Sequence, residues 1–442
     1  MGQEETKRNE NTIKERYKTL MLVPKKEGKY KILTISDHPL VSSGVGIQAK
    51  YVIEGLLRTD KYQVLSLGAA MKHKDYRPQK MQEWSDDWAI LPIDGYGNEN
   101  MIRDILDAEK PDAIFFVTDP RFYIWLFNMS DEVRDRNIPM LYWHLWDEKF
   151  VPRFNKQYYD ACDFIGAINK LTYGFLGELE HQDFEYIPHA VDADLFAPMS
   201  EEEIKKHKEQ ALGPNKDKFV YFYNSRNARR KMTSDVVRFF KETLDKVGQD
   251  KAFLLMQTNP GDPEGANLLQ VCDALGLRPD QIAFSAERIS PEQMVVFYNI
   301  ADTIVCLSSQ EGFGLSSLES MMCGTPVISV RTGGLQDQNY IPETGKEFGV
   351  SIFPKTQSWT GSQQIPYITD CRCTDEDIRN AYLKMYNMSP ADRRSLGLES
   401  SEHVRKKFVI KEMVSSWDKA LERKIKEFKE HGYRDRIKFG KV

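Results

Sequence analysis

Short apolar runs alternate with longer amphipathic stretches through most of the chain. The apolar runs at 31–35, 63–66, 88–91, 113–117, 140–143 and 164–167 read as buried strands. Helices fall between them, for example at about 47–57 and 98–109. After a stretch rich in Lys, Glu and Pro at 192–215 the alternation starts again. Strands at 219–223, 252–257, 282–284, 303–307 and 326–330 are interleaved with helices at 234–247, 268–275 and 291–299. In the helix at 234–247, Val236, Phe240, Leu244 and Val247 share one face, and Gly248 follows as a stop. Alternation of this kind builds a parallel sheet covered on both faces. Two such units facing one another leave a cleft, a favoured ligand site.

The predicted organisation is therefore a flexible leader at 1–24, a first doubly wound domain at 25–195 and a second at 196–411. A closing segment, 412–442, carries an amphipathic helix at about 410–431 with Trp417 and ends in a basic tail. The stretch 351–373 shows no periodicity and contains Pro354, Trp359, Gly361, Pro366 and Tyr367. It reads as a long loop, which lines an acceptor, mediates self-association as a homo-oligomer, or decorates the surface.

Composition narrows this picture only a little. The 442 residues are 41% hydrophobic and 29% charged, as in a water-soluble globular chain. No apolar run approaches the ~18 residues of a membrane span. The charged N-terminal stretch is neither signal peptide nor anchor. A net charge of -5 argues against general nucleic-acid affinity. The six cysteines, Cys162, Cys272, Cys306, Cys323, Cys371 and Cys373, lack a double Cys-x-x-Cys pattern and fit reduced thiols in a cytoplasmic protein. Cys371-x-Cys373 is a weak metal hint.

Residues 305–337 hold the densest chemistry. A strand ends in a polar loop with Glu311, then Gly312-Phe313-Gly314-Leu315, then a helix with Glu319 placed in its first turn, then a strand and the turn Gly333-Gly334. A helix N-terminus favours a phosphate, and glycines let backbone approach it. Carboxylates at 311 and 319 on either side suit the hydroxyls of a sugar and of a ribose. Ser316-x-x-Glu319 also fits a capping box, so Glu319 has two readings. Elsewhere, Arg226 and Lys231 follow a strand directly, where cations meet a ligand or form a solvated basic turn. His144 ends an apolar strand, with Asp147 and Glu148 close behind. Gly44-Val45-Gly46 follows the first strand, a standard ligand position in an open parallel sheet.

The joint pattern Glu-Gly-Phe-Gly-Leu-x-x-Leu-Glu followed by Cys-Gly-Thr-Pro-Val resembles the Glu-x7-Glu motif of retaining glycosyltransferases with the GT-B fold, the large "glycosyl transferases group 1" family. The resemblance covers roughly 31–350. It implies two Rossmann-like domains facing a central cleft, with the last helix returning to the first domain. It implies transfer of a sugar, hexosyl in type, from a nucleoside diphosphate sugar (UDP- or GDP-linked) to an acceptor hydroxyl, on one face and without metal or other cofactor. Arg226 and Lys231 would bind the donor's phosphates. His144 would sit over the donor sugar, Glu311 would hold its hydroxyls, and Glu319 would bind the ribose. Gly44, Gly46, Arg288, Gly312, Phe313, Gly314 and Leu315 would complete the donor site. The chain departs from the pattern with Met232 where Gly is usual, and with His189-Ala190 where Asn-Gly is preferred. Asp192-Ala-Asp194 looks like a metal-binding Asp-x-Asp, but its surroundings resemble the family's linker, so Asp192 reads as structural.

The acceptor stays open: a small molecule, a glycan or a hydroxymethylated base in DNA. Arg229-Arg230 and the basic C-terminal run would serve the last of these, although interspersed acids favour a solvated helix. A sugar-nucleotide epimerase or a non-catalytic member of the fold is the other alternative.

Overall fold

The computed structural model describes residues 22–41, 43–147 and 149–432. Residues 1–21 of the expected leader 1–24, Ser42, Glu148 and the basic tail at 433–442 lie outside the described residues. Val23 is already fully buried, and the Leu22 amide donates to Glu109 Oε1 at 2.6 Å.

Two parallel sheets organise the chain. The first has strands β1 (Tyr30–Asp37), β2 (Tyr62–Ala69), β3 (Gln79–Lys80), β4 (Trp88–Pro92), β5 (Ala113–Thr118), β6 (Met140–His144), β7 (Phe164–Ala167) and β8 (Phe184–Tyr186). Their order is β3-β4-β2-β1-β5-β6-β7-β8, parallel throughout except for the β3–β4 edge pair. The second sheet has β9 (Phe219–Asn224), β10 (Ala252–Gln257), β11 (Ile282–Ser285), β12 (Thr303–Cys306) and β13 (Val327–Val330). Past the short ladder of β14 (Tyr340–Ile341) and β15 (Lys346–Glu347), it is completed by β16 (Gly349–Ile352), in the order β11-β10-β9-β12-β13-β16. Most of these strands are buried on both faces, which is why they read as continuous apolar runs rather than alternations.

In each sheet the chain reverses its direction of winding beside the first strand, between β1 and β5 and between β9 and β12. Such switch points are where open parallel sheets bind ligands, because the loops that follow the two central strands diverge there. The loop after β1 leads into the helix Gly44–Arg58, capped by Ser43, whose hydroxyl accepts from the Gly46 amide at 2.9 Å. The loops after β9 and β12 are the Arg226–Lys231 turn and the Glu311 loop.

The chain crosses between the domains near 187–199 and returns near 405–409. The two crossings touch through a Val191–Val409 bridge. Arg405 fixes them by donating to the carbonyls of Ala193, Phe196 and Met322. The helix Ile410–His431 then lies against the first sheet. Trp417 is fully buried, 4.7 Å from the Phe115 ring and 5.7 Å from that of Phe164.

Two sequence expectations are corrected. The polar connection 192–215 contains the helix Glu201–Leu212, started by a capping box of Ser200 and Glu203. No apolar stripe marks it in the sequence, because Leu212 is its only buried residue. The segment 351–373 is not a loop. It holds an antiparallel hairpin, β17 (Thr356–Thr360) with β18 (Ile368–Arg372). The hairpin is anchored in the second domain where Gln310 donates to the Thr369 carbonyl and the Cys371 amide donates to that of Ser309. Its tip reaches the first domain. There the Tyr367 hydroxyl donates to the Val151 carbonyl at 3.1 Å and accepts from the Arg153 amide at 3.2 Å.

Candidate active site in the cleft

The Glu311 loop is shaped by glycine. Gly314 has φ +91°, a left-handed value that lets the chain turn into the helix Leu315–Met322. Gly333 has φ +47°, and a Cβ there would overlap the Glu311 carbonyl oxygen. The neighbouring Gly334 amide lies 3.2 Å from the carbonyls of both Glu311 and Gly312. Gln338 donates to the Phe313 carbonyl at 2.6 Å from below. The helix Leu315–Met322 has no side-chain cap, so the amides of its first turn stay available to a ligand. This removes the capping-box reading of Glu319: Gly314, not Ser316, is the N-cap residue, and Glu319 falls beyond the first turn.

Glu311 is 8% exposed and is held by Lys231 and, at 3.1 Å, by the Ser308 hydroxyl. Burial works against its ionisation, but Lys231, Arg230 and the hydrogen bonds outweigh that and keep its carboxyl below the usual range. Glu319 accepts from the Tyr298 hydroxyl at 2.6 Å. Burial pushes its carboxyl up to about 7, against the pull of that hydrogen bond. The two carboxylates are thus shifted in opposite directions.

The first domain closes over this loop. Asn169 donates from Nδ2 to the Gly312 carbonyl at 2.7 Å and to that of Trp146 at 3.1 Å, while its Oδ1 caps the helix Lys170–Glu178. The Lys170 amide donates to Asp337 Oδ2 at 2.7 Å, a second link between the domains. Gly44 faces Leu315 across the cleft, where a Cβ would lie 3.2 Å from its Cδ1. Gly46 packs inward against the carbonyls of His38 and Val41. Phe313 is buried between the rings of His189 and Phe408. His144, 1% exposed, meets the Tyr159 hydroxyl through Nε2 at 2.9 Å, and its Nδ1 is buried with no hydrogen-bond partner. Burial, together with nearby His181, lowers His144 to about 3, so the imidazole is neutral.

The structure thus brings Glu311, Lys231, the 312–315 loop and Gly44 together, with Glu319 one turn away. Arg226 and Arg288 stand apart. Arg226 forms a two-pronged pair with Asp262, at 2.8 and 3.0 Å, and its side chain is 62% exposed. Arg288 is exposed in the loop after β11. The sequence reading gave no role to Tyr298 or Asn169, noted Asp147 only as a neighbour of His144, and offered Arg230 only to a polyanionic acceptor. Only Asn169 carried a local signal, as a helix-capping residue after a strand. The Asp192 carboxylate accepts from the amides of Asp194 and Leu195, a turn-forming role. Among the described residues no group of three or more His, Cys, Asp or Glu is placed to hold a metal ion.

Sucrose-phosphate synthase from Thermosynechococcus elongatus superposes with a TM-score of 0.67 at 18% identity, over 89% of this chain and 99% of that one. The Anabaena protein HepE, solved with UDP and glucose, superposes with a TM-score of 0.62 at 14% identity, over 89% of this chain and 100% of that one. The chain has the GT-B fold of glycosyltransferases. Residues 204–345 match the family model Glycosyl transferases group 1. A D-inositol 3-phosphate glycosyltransferase from Corynebacterium jeikeium is 32% identical over 152 residues. The matched stretch is 34% of this chain and 36% of that relative's length. No helix among the described residues is long and apolar enough to cross a membrane.

Proposed function

We propose that this chain is a retaining glycosyltransferase that moves a hexosyl group from a nucleoside diphosphate sugar to an acceptor hydroxyl. The observation that carries the reading is the Glu311 loop. An uncapped helix start lies beside a carboxylate already paired to Lys231, at the switch point of the second sheet and under the first domain. The helix amides and Lys231 would take the diphosphate. The Glu311 carboxylate would accept from hydroxyls of the donor sugar. Glu319, with Tyr298, would meet the ribose. The orphaned Nδ1 of neutral His144 is the atom left to bond a sugar hydroxyl. Arg226, in this reading, reaches the phosphates only after leaving Asp262.

In the reaction the bond from the anomeric carbon to the phosphate oxygen breaks as the acceptor oxygen bonds to that carbon on the same face. The acceptor proton passes to the departing phosphate. The protein supplies orientation and fixed charge, and neither a metal nor a cofactor takes part in this reading. The UDP in the HepE complex favours a uridine donor, with guanosine as the first alternative.

Turnover of a panel of nucleoside diphosphate sugars, read as diphosphate release with and without candidate acceptors, tests this. Release that disappears in Glu311→Ala supports it. No release with any donor sinks it, and conversion of the sugar without release points to an epimerase instead. A polyanionic acceptor finds little support: Arg423, Lys424, Lys426 and Lys429 of the last helix are each paired to a carboxylate.

A further inference from the structure

Among the described residues, a cation that the motif did not assign is shared between the two walls of the cleft at this loop. Arg230 belongs to the second domain, yet its Nη1 lies 3.7 Å from Oδ2 of Asp147 in the first domain and 3.9 Å from Oε2 of Glu311. Its base is rigid. The Arg230 carbonyl accepts from the Ser309 amide at 2.9 Å and from the Ser309 hydroxyl at 3.2 Å. Its guanidinium donates to the Gln310 carbonyl at 2.8 Å. Both carboxylate contacts are longer than hydrogen bonds, so the remaining donors of the fork are loosely committed.

The two carboxylates differ in what else they hold. Glu311 has Lys231 and Ser308. Asp147 has Arg230 as its one ion-pair partner among the described residues, and it stands opposite Gly312, 3.9 Å from where a Cβ there would be. Burial raises its carboxyl despite Arg230, and the repulsion of Glu311 adds to that. Two carboxylates balance two cations here. A diphosphate brought to the neighbouring helix start adds negative charge that Lys231, already spent on Glu311, does not balance alone. Asp147 is the group that can release a cation.

We propose that Arg230 is a donor-phosphate ligand held ready across the cleft by Asp147, and that the carboxylate and the diphosphate compete for it. The proposal rests on the glycosyltransferase reading and adds to it a cation and a placeholder. Donor entry transfers the guanidinium from Asp147 to the phosphates. The freed carboxylate then lies on the wall facing the sugar, where it accepts a hydrogen bond from a neutral hydroxylic acceptor and repels an anionic one.

Isothermal titration of UDP, with GDP as second probe, into the whole chain tests this. Arg230→Gln is expected to weaken binding about tenfold or more and to flatten its salt dependence. Asp147→Asn is expected to tighten binding about fivefold, an effect that loss of a merely structural contact would not give. In the Arg230→Gln background the Asp147→Asn change is expected to have no effect on binding. Unchanged or weaker binding by Asp147→Asn, or additive effects in the double variant, overturns the proposal while leaving the glycosyltransferase reading intact. Wild-type protein that binds neither nucleotide takes down both. Circular dichroism of each variant identifies any that fails to fold, and Arg230→Lys then replaces Arg230→Gln, with a smaller loss of the same sign.

Discussion

The two domains share one plan, a parallel sheet with its switch point turned to the cleft, yet they hold their chemistry differently. The second domain puts it in backbone: an uncapped helix start, a left-handed Gly314, and Gly333 seated against the Glu311 carbonyl. The first puts it in side chains that arrive from separate strand ends: His144 from β6, Asp147 just beyond it, Asn169 after β7. A site made of backbone needs particular residues at fixed spacing, because few sequences allow that path. A site made of side chains needs only that the sheet bring them near, and many sequences do so.

That contrast can be broken at several points. The largest effect is expected at Glu311: Glu311→Ala should lower donor turnover about 10²- to 10³-fold, the cost of removing one preorganised polar group from an active site. Diphosphate release at saturating donor measures it, and near-normal turnover would put the site elsewhere. Gly333→Ala should destabilise the chain by about 3 kcal/mol, since it combines a strained φ with an overlap on the Glu311 carbonyl. Thermal unfolding reads this, and an unshifted midpoint would show the turn to be adaptable. In the first domain the expected loss is smaller. His144→Ala should cost about tenfold in turnover, as one hydrogen bond to a neutral sugar hydroxyl is lost. A loss as large as that of Glu311→Ala would erase the distinction between the two walls.

The smallest effect concerns pH. Burial raises Glu319 to about 7, above its unfolded value. Its contribution to stability is therefore full at low pH and fades as pH rises through 7. Donor binding runs the other way, because ribose hydroxyls need the ionised carboxylate. UDP affinity should rise about fivefold from pH 6 to pH 8, and Glu319→Gln should flatten that slope. An identical slope in the variant would assign the titration to another group, with Asp337, raised to about 6 by burial, the next to examine.

How far the sequence carried follows from the same physics. Strands buried on both faces are continuous apolar runs, so most of both sheets were legible, and so was the 311–319 loop. The hairpin was not. All five residues of β17 are exposed, so no alternation marks it, and the buried positions of β18 are Thr369 and Cys371, neither strongly apolar. Arg230 was not legible either. It stands beside Lys231 in a basic turn, and only the fold shows that it reaches the Glu311 loop alongside Lys231. Arg226, the better motif match, is turned outward to Asp262.

The hairpin has a mechanical meaning. It is bonded to Ser309 and Gln310, immediately before Glu311, and through Tyr367 to residues 151 and 153, just beyond Asp147. The clasp therefore adds to the paired crossings at 187–199 and 405–409 and to the Asn169 and Lys170 bonds that already join the domains. Opening of the cleft would have to break the Tyr367 bonds to residues 151 and 153 as well as those of Asn169 and Lys170. A strap on the surface thus shares with the cleft's own residues the work of holding the two walls together.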